Sequence, residues 1–197
     1  MARRGSYAKG VAKREEILER ALEVVAREGY RGASVKEIAE AVGLSQAGLL
    51  HYFDSKEELF TEILRKRDEH DGDEFRTDAP GAARAAYLRV IRHNVQTPGL
   101  VELFSRLAVE AADPAHPAHA YFLERTTELR AQLAQQADEF SGIRDVPPET
   151  LARIVQAVTD GLQLQWLLDR TVDMAGTVEA LFAILDDARA TQDGKDD

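Results

Sequence analysis

The stretch SVKEIAEAVGLSQAGLLHYFDSKEELF, residues 34–60, decides the fold of this chain. Ser34 and Glu37 stand in S-x-x-E spacing, a capping box that starts a helix just before Ile38, Ala39 and Val42. Gly43 ends that helix, Leu44 supplies an apolar plug, and Ser45 offers a new N-cap, so the chain turns within about three residues. The next helix is expected over roughly Gln46 to Tyr52, about 10 Å long, with Leu49 and Phe53 turned inward at i, i+4. So short a helix cannot support itself, because nucleation consumes most of what its few hydrogen bonds return. Its neighbours must hold it, which leaves its other faces available for contact. Ser55 and Glu58 form a second capping box and launch a longer helix whose stripe of Leu59, Phe60, Ile63 and Leu64 packs inward. Two short helices around a glycine turn read as a helix-turn-helix, and they predict DNA binding.

Upstream, Lys13 to Arg27 is helical by period, with Ile17, Leu18, Ala21, Leu22 and Val25 on one face and Gly29 closing the end. Downstream, the prolines fall between periodic apolar segments and suit first helical turns. The body is therefore expected as helices over roughly Pro80 to Gln96, Pro98 to Ala111, Pro114 to Glu139, Pro148 to Asp169 and Asp173 to Ala190. No strand alternation competes, and no internal repeat is present. Met1 to Gly10 and Thr191 to Asp197 offer little to bury and are expected to be flexible. The organisation predicted is all-α: a helix-turn-helix DNA-binding domain over 1–55, a helical effector-binding and dimerisation domain over 56–190, and a tail over 191–197.

The chain has 197 residues, 44% of them hydrophobic, enough for one or two compact domains with a sizeable core. It has no cysteine, which excludes disulfides and thiolate metal sites. Arg3 and Arg4 lack an apolar stretch behind them, so no export signal is read there, and a cytoplasmic location is expected. No run approaches the roughly 18 apolar residues of a membrane helix. The net charge of −10 looks unsuited to DNA until it is divided by position. Residues 1–67 hold 13 Lys and Arg against 11 Asp and Glu, and the remainder carries the whole acidic excess. A mildly basic head over an acidic body orients the protein on a phosphate surface.

Taken together, Gly43, Leu44, Ser45, Leu49, Phe53, Ser55, Lys56, Glu57 and Leu59 form a G-L-S-x-x-x-L-x-x-x-F-x-S-K-E-x-L signature that resembles the TetR family of transcriptional regulators. The resemblance covers the first quarter to third of the chain. Leu50 departs from it, since many members carry an aromatic there that braces the reading helix against the DNA backbone. The resemblance implies an effector pocket in the helical body and repression by blocking a promoter.

The site residues follow. Gln46 pairs bidentately with adenine in the major groove, and His51 is a second base-reading candidate. Ala47 and Gly48 allow close approach, Ala47 with access to a thymine methyl group. Ser34, Lys36, Tyr52 and Lys56 are phosphate anchors, two at helix starts and all with hydrogen-bond donors. Ser45, which opens the reading helix, completes the DNA-binding set. Effector-lining candidates are His93, Phe104, Tyr121, Phe122, Arg125, Gln163 and Trp166, aromatics with sparse polar groups; Arg125 needs an acidic partner such as Glu110, Asp160 or a carboxylate effector. The last two helices carry wide apolar stripes, and Val158, Leu162, Val178, Leu181, Phe182 and Leu185 are expected to form a four-helix homodimer interface. Two heads then read a palindromic operator on double-stranded DNA. No cofactor, metal site, membrane partner or catalytic residue is read. Gly43 to Gly48 misses the G-x-S-x-G spacing of a nucleophile elbow, and the five histidines show no H-E-x-x-H pattern. The alternative is a helical small-molecule carrier or dimeric interaction protein without specific DNA binding.

Overall fold

A computed structural model of the chain describes the backbone of residues 2–75, 79, 81–136 and 146–193. Among the described residues every regular element is a helix: α1 Ala2–Gly32, α2 Val35–Ala41, α3 Gln46–Leu49, α4 Lys56–Phe75, α5 Ala83–Gln96, α6 Pro98–Glu110, α7 His119–Gln135, α8 Pro148–Leu168 and α9 Met174–Asp193. They form two compact units. The first comprises Met1–Gly72 and Thr97–Tyr121, the second Asp73–Gln96 and Phe122–Asp197.

In the first unit, Ile17, Leu18, Ala21 and Val25 of α1 are buried together with Ile38 and Ala39 of α2, Leu49 and Phe53, and Leu59, Phe60, Ile63 and Leu64 of α4. This is the apolar set that the helical periodicity selects, except that Leu22, expected on the inward face of α1, is half-buried and Val24 is buried as well. Helix α6 adds Leu100, Val101, Leu103, Phe104 and Leu107 and packs closely on α1. The approach depends on Gly99, where a Cβ atom would lie 2.1 Å from the Val25 carbonyl oxygen and 2.6 Å from the Gly29 Cα. Gly29 itself sits at φ 73°, so the regular part of α1 ends there, as its sequence position suggests. The second unit buries Leu88 and Ile91 of α5, Leu133 of α7, Leu151, Val155, Leu162 and Trp166 of α8, and Met174, Val178 and Phe182 of α9. A bidentate ion pair from Arg84 to Asp186, at 2.7 and 2.5 Å, ties α5 to α9.

Four boundaries differ from expectation. Helix α1 begins at Ala2, so most of the stretch expected to be flexible is helical. Once the segment from Lys13 is nucleated, each residue added upstream gains a backbone hydrogen bond without a new nucleation cost, and no proline interrupts. The reading helix α3 stops at Leu49 rather than Tyr52. The Tyr52 N–H bonds back only three residues, to the Leu49 carbonyl at 3.0 Å, a turn rather than another helical step. Helix α7 starts at His119, not Pro114. Pro114 and Pro117 lack N–H groups, Asp113 Oδ1 accepts the Ala115 N–H at 2.9 Å, and His116 Nδ1 accepts that of Ala118 at 3.1 Å, so turns satisfy this segment locally. Helix α9 continues to Asp193, past the expected start of the tail at Thr191. The expected helix start at Pro80, the helix end near Glu139 and residues 194–197 lie outside the described residues.

Replacing Gly99 by Ala forces its methyl group into the α1 backbone, which is harder to displace than a side chain. We expect a loss of about 2–3 kcal/mol in urea-unfolding stability; an unchanged midpoint would show that α1 and α6 separate at little cost.

Candidate functional site

The reading segment is built by caps. The Ser34 hydroxyl accepts the Glu37 N–H at 3.3 Å while the Glu37 carboxylate accepts the Ser34 N–H at 2.7 Å, the reciprocal pair that opens α2. Those hydrogen bonds hold the Glu37 carboxyl below its ordinary value. Gly43, at φ 70°, makes the turn that a residue with a Cβ would adopt only under strain, and the Leu44 N–H returns to the Ala39 carbonyl at 2.8 Å. Ser45 Oγ accepts the Gly48 N–H at 3.0 Å and starts α3. Gly48 has little room for anything larger, since a Cβ would stand 3.2 Å from Ser45 Oγ. Leu49 and Phe53 are buried on either side of the following turn.

The second box closes differently from the expected Ser55–Glu58 pair. Ser55 Oγ accepts the Glu58 N–H at 3.0 Å, but the Glu58 carboxylate reaches the Asp54 N–H. Its other oxygen accepts from Arg14 at 3.2 Å, and the same guanidinium donates to Glu62 at 2.9 Å and lies 4.7 Å from the Phe53 ring centre. Further along the α1–α4 seam, Lys66 contacts Glu15 at 3.0 Å, Glu19 at 3.2 Å and Glu69 at 3.3 Å, and His70 stands 3.2 Å from Glu19. The hydrogen bond to Glu15 leads the contacts that raise the Lys66 ammonium above its ordinary value. Burial alone would raise Glu19, but hydrogen bonds from Lys66 and His70 outweigh it and hold its carboxyl low. Arg14 and Lys66 are therefore engaged by carboxylates within the unit.

Of the expected DNA-binding residues, Ser34, Lys36, Ser45, Gln46, Ala47, His51 and Lys56 are exposed, and Gly48 and Tyr52 are half-buried. They occupy the starts of α2, α3 and α4 and the turn after α3. Lys36 stands 3.8 Å from Glu40, with both side chains about two-thirds exposed, a pair too weak to withhold its charge. Lys56 lies over the Phe60 ring, 5.3 Å from its centre, which holds its ammonium at the first turn of α4. His51 meets Tyr52 edge to face at 5.9 Å.

The effector candidates divide between the units. Phe104 and Tyr121 belong to the first, where both are buried around α4: the Tyr121 hydroxyl donates to Asp68 at 2.5 Å, and the Arg67 guanidinium lies 6.0 Å from the Phe104 ring. His93, Phe122, Arg125, Gln163 and Trp166 belong to the second. Arg125 faces Asp160 there; burial raises the Asp160 carboxyl and the Arg125 charge opposes that rise. Gln156, Thr159, Asp160 and Gln163 recur at i, i+3, i+4 and i+7 on α8, three of them buried and Asp160 half-buried. Thr159 donates to the Val155 carbonyl at 3.0 Å, so the Tyr87 hydroxyl, 2.9 Å away, donates to Thr159. Burial pushes the Tyr87 phenol up to about 12. Gln163 Oε1 is buried with no hydrogen-bond partner among the described residues. In the sequence this polar stripe is marked only by its helical spacing, beside the more prominent apolar stripe of α8. A separate cleft of about 390 Å³ is lined by Arg92, Val95, Trp166, Arg170, Val172 and Met174, with the Arg170 guanidinium 3.9 Å from the Trp166 ring centre.

Of the expected interface residues, Leu162, Val178 and Phe182 are buried in their own unit, and Val158, Leu181 and Leu185 are half-buried. The large apolar side chains that α8 and α9 expose are Ile154, Leu164, Leu168 and Ile184, the last two at 90% and 65%. Among the described residues no group of His, Asp or Glu is arranged to hold a metal ion, and no helix is long and apolar enough to cross a membrane.

Residues 17–63 match the family described as bacterial regulatory proteins, tetR family. The HTH-type transcriptional repressor AcnR of Corynebacterium efficiens is 32% identical over 186 residues, covering 90% of this chain and 91% of its own. The protein of the same name from Corynebacterium glutamicum is 30% identical, covering 88% of each. Among solved structures, a transcriptional regulator from Rhodococcus sp. Rha1 superimposes with a TM-score of 0.67 at 23% identity, over 87% of this chain and 95% of that one, a likeness of fold.

Proposed function

This chain belongs to the TetR family of bacterial regulatory proteins, and from that membership we propose a homodimeric repressor that a small molecule releases from a palindromic operator. The relatives make it a DNA-binding transcriptional regulator, not an enzyme, and we place it in the cytoplasm with its DNA. The observation that carries the reading is α3, a four-residue helix capped by Ser45, pinned by buried Leu49 and Phe53, with Gln46, Ala47 and His51 left exposed. A core has no use for that exposed face. Gln46 and His51 read bases, Ala47 and Gly48 permit approach, and Ser34, Lys36, Tyr52 and Lys56 hold phosphates. The head spans residues 1–55, and the helices of 56–190 carry the effector site and dimer interface.

One α3 reads too few base pairs for specificity, and a two-fold pair of heads reads a palindrome. Helix α8 supports such a pair because it is apolar on two opposite sides. Leu151, Val155, Leu162 and Trp166 face its own unit, while Ile154, Ala157, Gly161, Leu164 and Leu168 follow 3-4-3-4 spacing on the other side. A side chain already buried in its own core cannot also be given to a partner, so the interface lies on this outer face, with Ile184 of α9, rather than on Leu162, Val178 and Phe182.

The effector site lies in the second unit, where the buried polar stripe of α8 meets Tyr87 and Arg125. Buried polar groups cost free energy unless they are paired, so an unpartnered Gln163 Oε1 supports a ligand with an N–H or O–H to donate. His93 and Phe122 are the further lining candidates, whereas Trp166 lines the separate cleft beside Arg170. The ligand favours a body conformation that moves α4, which carries Lys56 at one end, and changes the separation of the heads. A coupling on the order of 1–3 kcal/mol suffices to release DNA.

Gln46→Ala relaxes sequence preference, whereas Lys56→Ala weakens binding to all sequences and lowers the salt slope by about one. Selection from sheared genomic DNA followed by salt titration measures both, and two variants that merely scale affinity together would overturn the roles. Recovery of no specific sequence would favour the carrier or interaction protein instead. Leu164→Asp places a charge in the outer face of α8 without touching the core; sedimentation at micromolar concentration should then find monomer where the parent is dimer. Gln163→Leu removes an orphaned acceptor, so the ligand-free melting temperature stays level or rises, while compounds that release the parent protein from DNA lose that effect. Equal release from both would remove Gln163 from the site.

A further inference from the structure

Leu50 is the one large apolar side chain that the segment from α2 to the start of α4 leaves exposed among the described residues, at 40%. Its orientation is not free, because Leu49 before it is wholly buried and Phe53 after it is 2% exposed. Its N–H donates to the Gln46 carbonyl at 2.9 Å, which places it one helical turn beyond Gln46 on the same face. Four helical residues rise about 6 Å, and that equals fewer than two base-pair steps of about 3.4 Å. A leucine has no donor for a phosphate oxygen, so a backbone-anchoring role is chemically closed to it. An apolar surface in the major groove finds one apolar partner on the bases, the C5-methyl group of thymine. We propose that Leu50 reads a thymine methyl group within one or two base pairs of the adenine read by Gln46, making it a specificity-determining residue.

The inference rests on the DNA-binding reading of α3, and one experiment separates the two. A random duplex library is selected with the wild-type protein, and each thymine of the enriched sequence is then replaced singly by deoxyuridine, which removes the methyl group alone. We expect at least one thymine per half-site at which the replacement weakens wild-type binding by about fourfold, the loss for one buried methyl. Leu50→Ala, with its melting temperature measured to show that it is folded at the assay temperature, should bind the thymine and deoxyuridine duplexes equally. Wild-type tolerance of deoxyuridine at every thymine would overturn the inference while leaving DNA binding intact, and so would a Leu50→Ala protein that keeps the parent's sensitivity. Enrichment of no sequence would overturn both.

Discussion

Burial of Leu49 and Phe53 is the constraint on which the DNA-reading head depends. Helix α3 has four residues, too few for its own hydrogen bonds to repay nucleation. It exists because Ser45 caps its start and two apolar side chains anchor it in a core assembled by α1, α2 and α4. The exposed residues between and beside those anchors inherit a fixed direction. Gln46, Ala47, Leu50 and His51 are thereby presented without a long helix to carry them. The Asp54 turn is held as well, because Glu58 takes its N–H with one oxygen and Arg14 with the other, while Arg14 lies on Phe53.

Charge in the head follows the same economy of position. An acidic chain reaches DNA only if its free cations stand where phosphates come, and the net balance of the head says little about that. Arg14 and Lys66 are held by carboxylates along the α1–α4 seam, where they fasten the reading segment to its brace. Lys36 and Lys56 stand outside that seam, at the first turns of α2 and α4, where the helix dipole also favours an anion. The positive residues thus divide by what surrounds them rather than by their number, and the proposed phosphate contacts fall among those outside the seam.

Helix α8 concentrates the remaining functional reading. It has an apolar outer face, a buried apolar face and, within the buried side, a polar stripe joined to α5 through Tyr87 and facing Arg125. A helix that only filled a core would need neither the outer leucines nor the inner polar groups. Their coexistence is what supports the proposed pairing with a copy and the proposed recognition of a small molecule. Gly99, where α6 meets the backbone of α1, makes the first unit comparably sensitive to small displacements, since the contact leaves no side chain to absorb them.

What the amino-acid sequence determined by itself was local. The capping residues Ser34, Ser45 and Ser55, the turn at Gly43 and the inward stripe of α4 were all legible, because caps, turns and helical period involve residues within about four positions of one another. The ends of α1, α3 and α7 were less so, since helix propagation and competing turns differ by little free energy per residue. Tertiary structure alone decided which charges are free, because Arg14 finds Glu58 and Glu62 across separations of 44 and 48 residues. It likewise decided which face of α8 turns inward, and so moved the outer surface from Leu162 to Leu164 and Leu168. A helix with two apolar faces has no local preference between them, and only packing against α5 and α9 chooses.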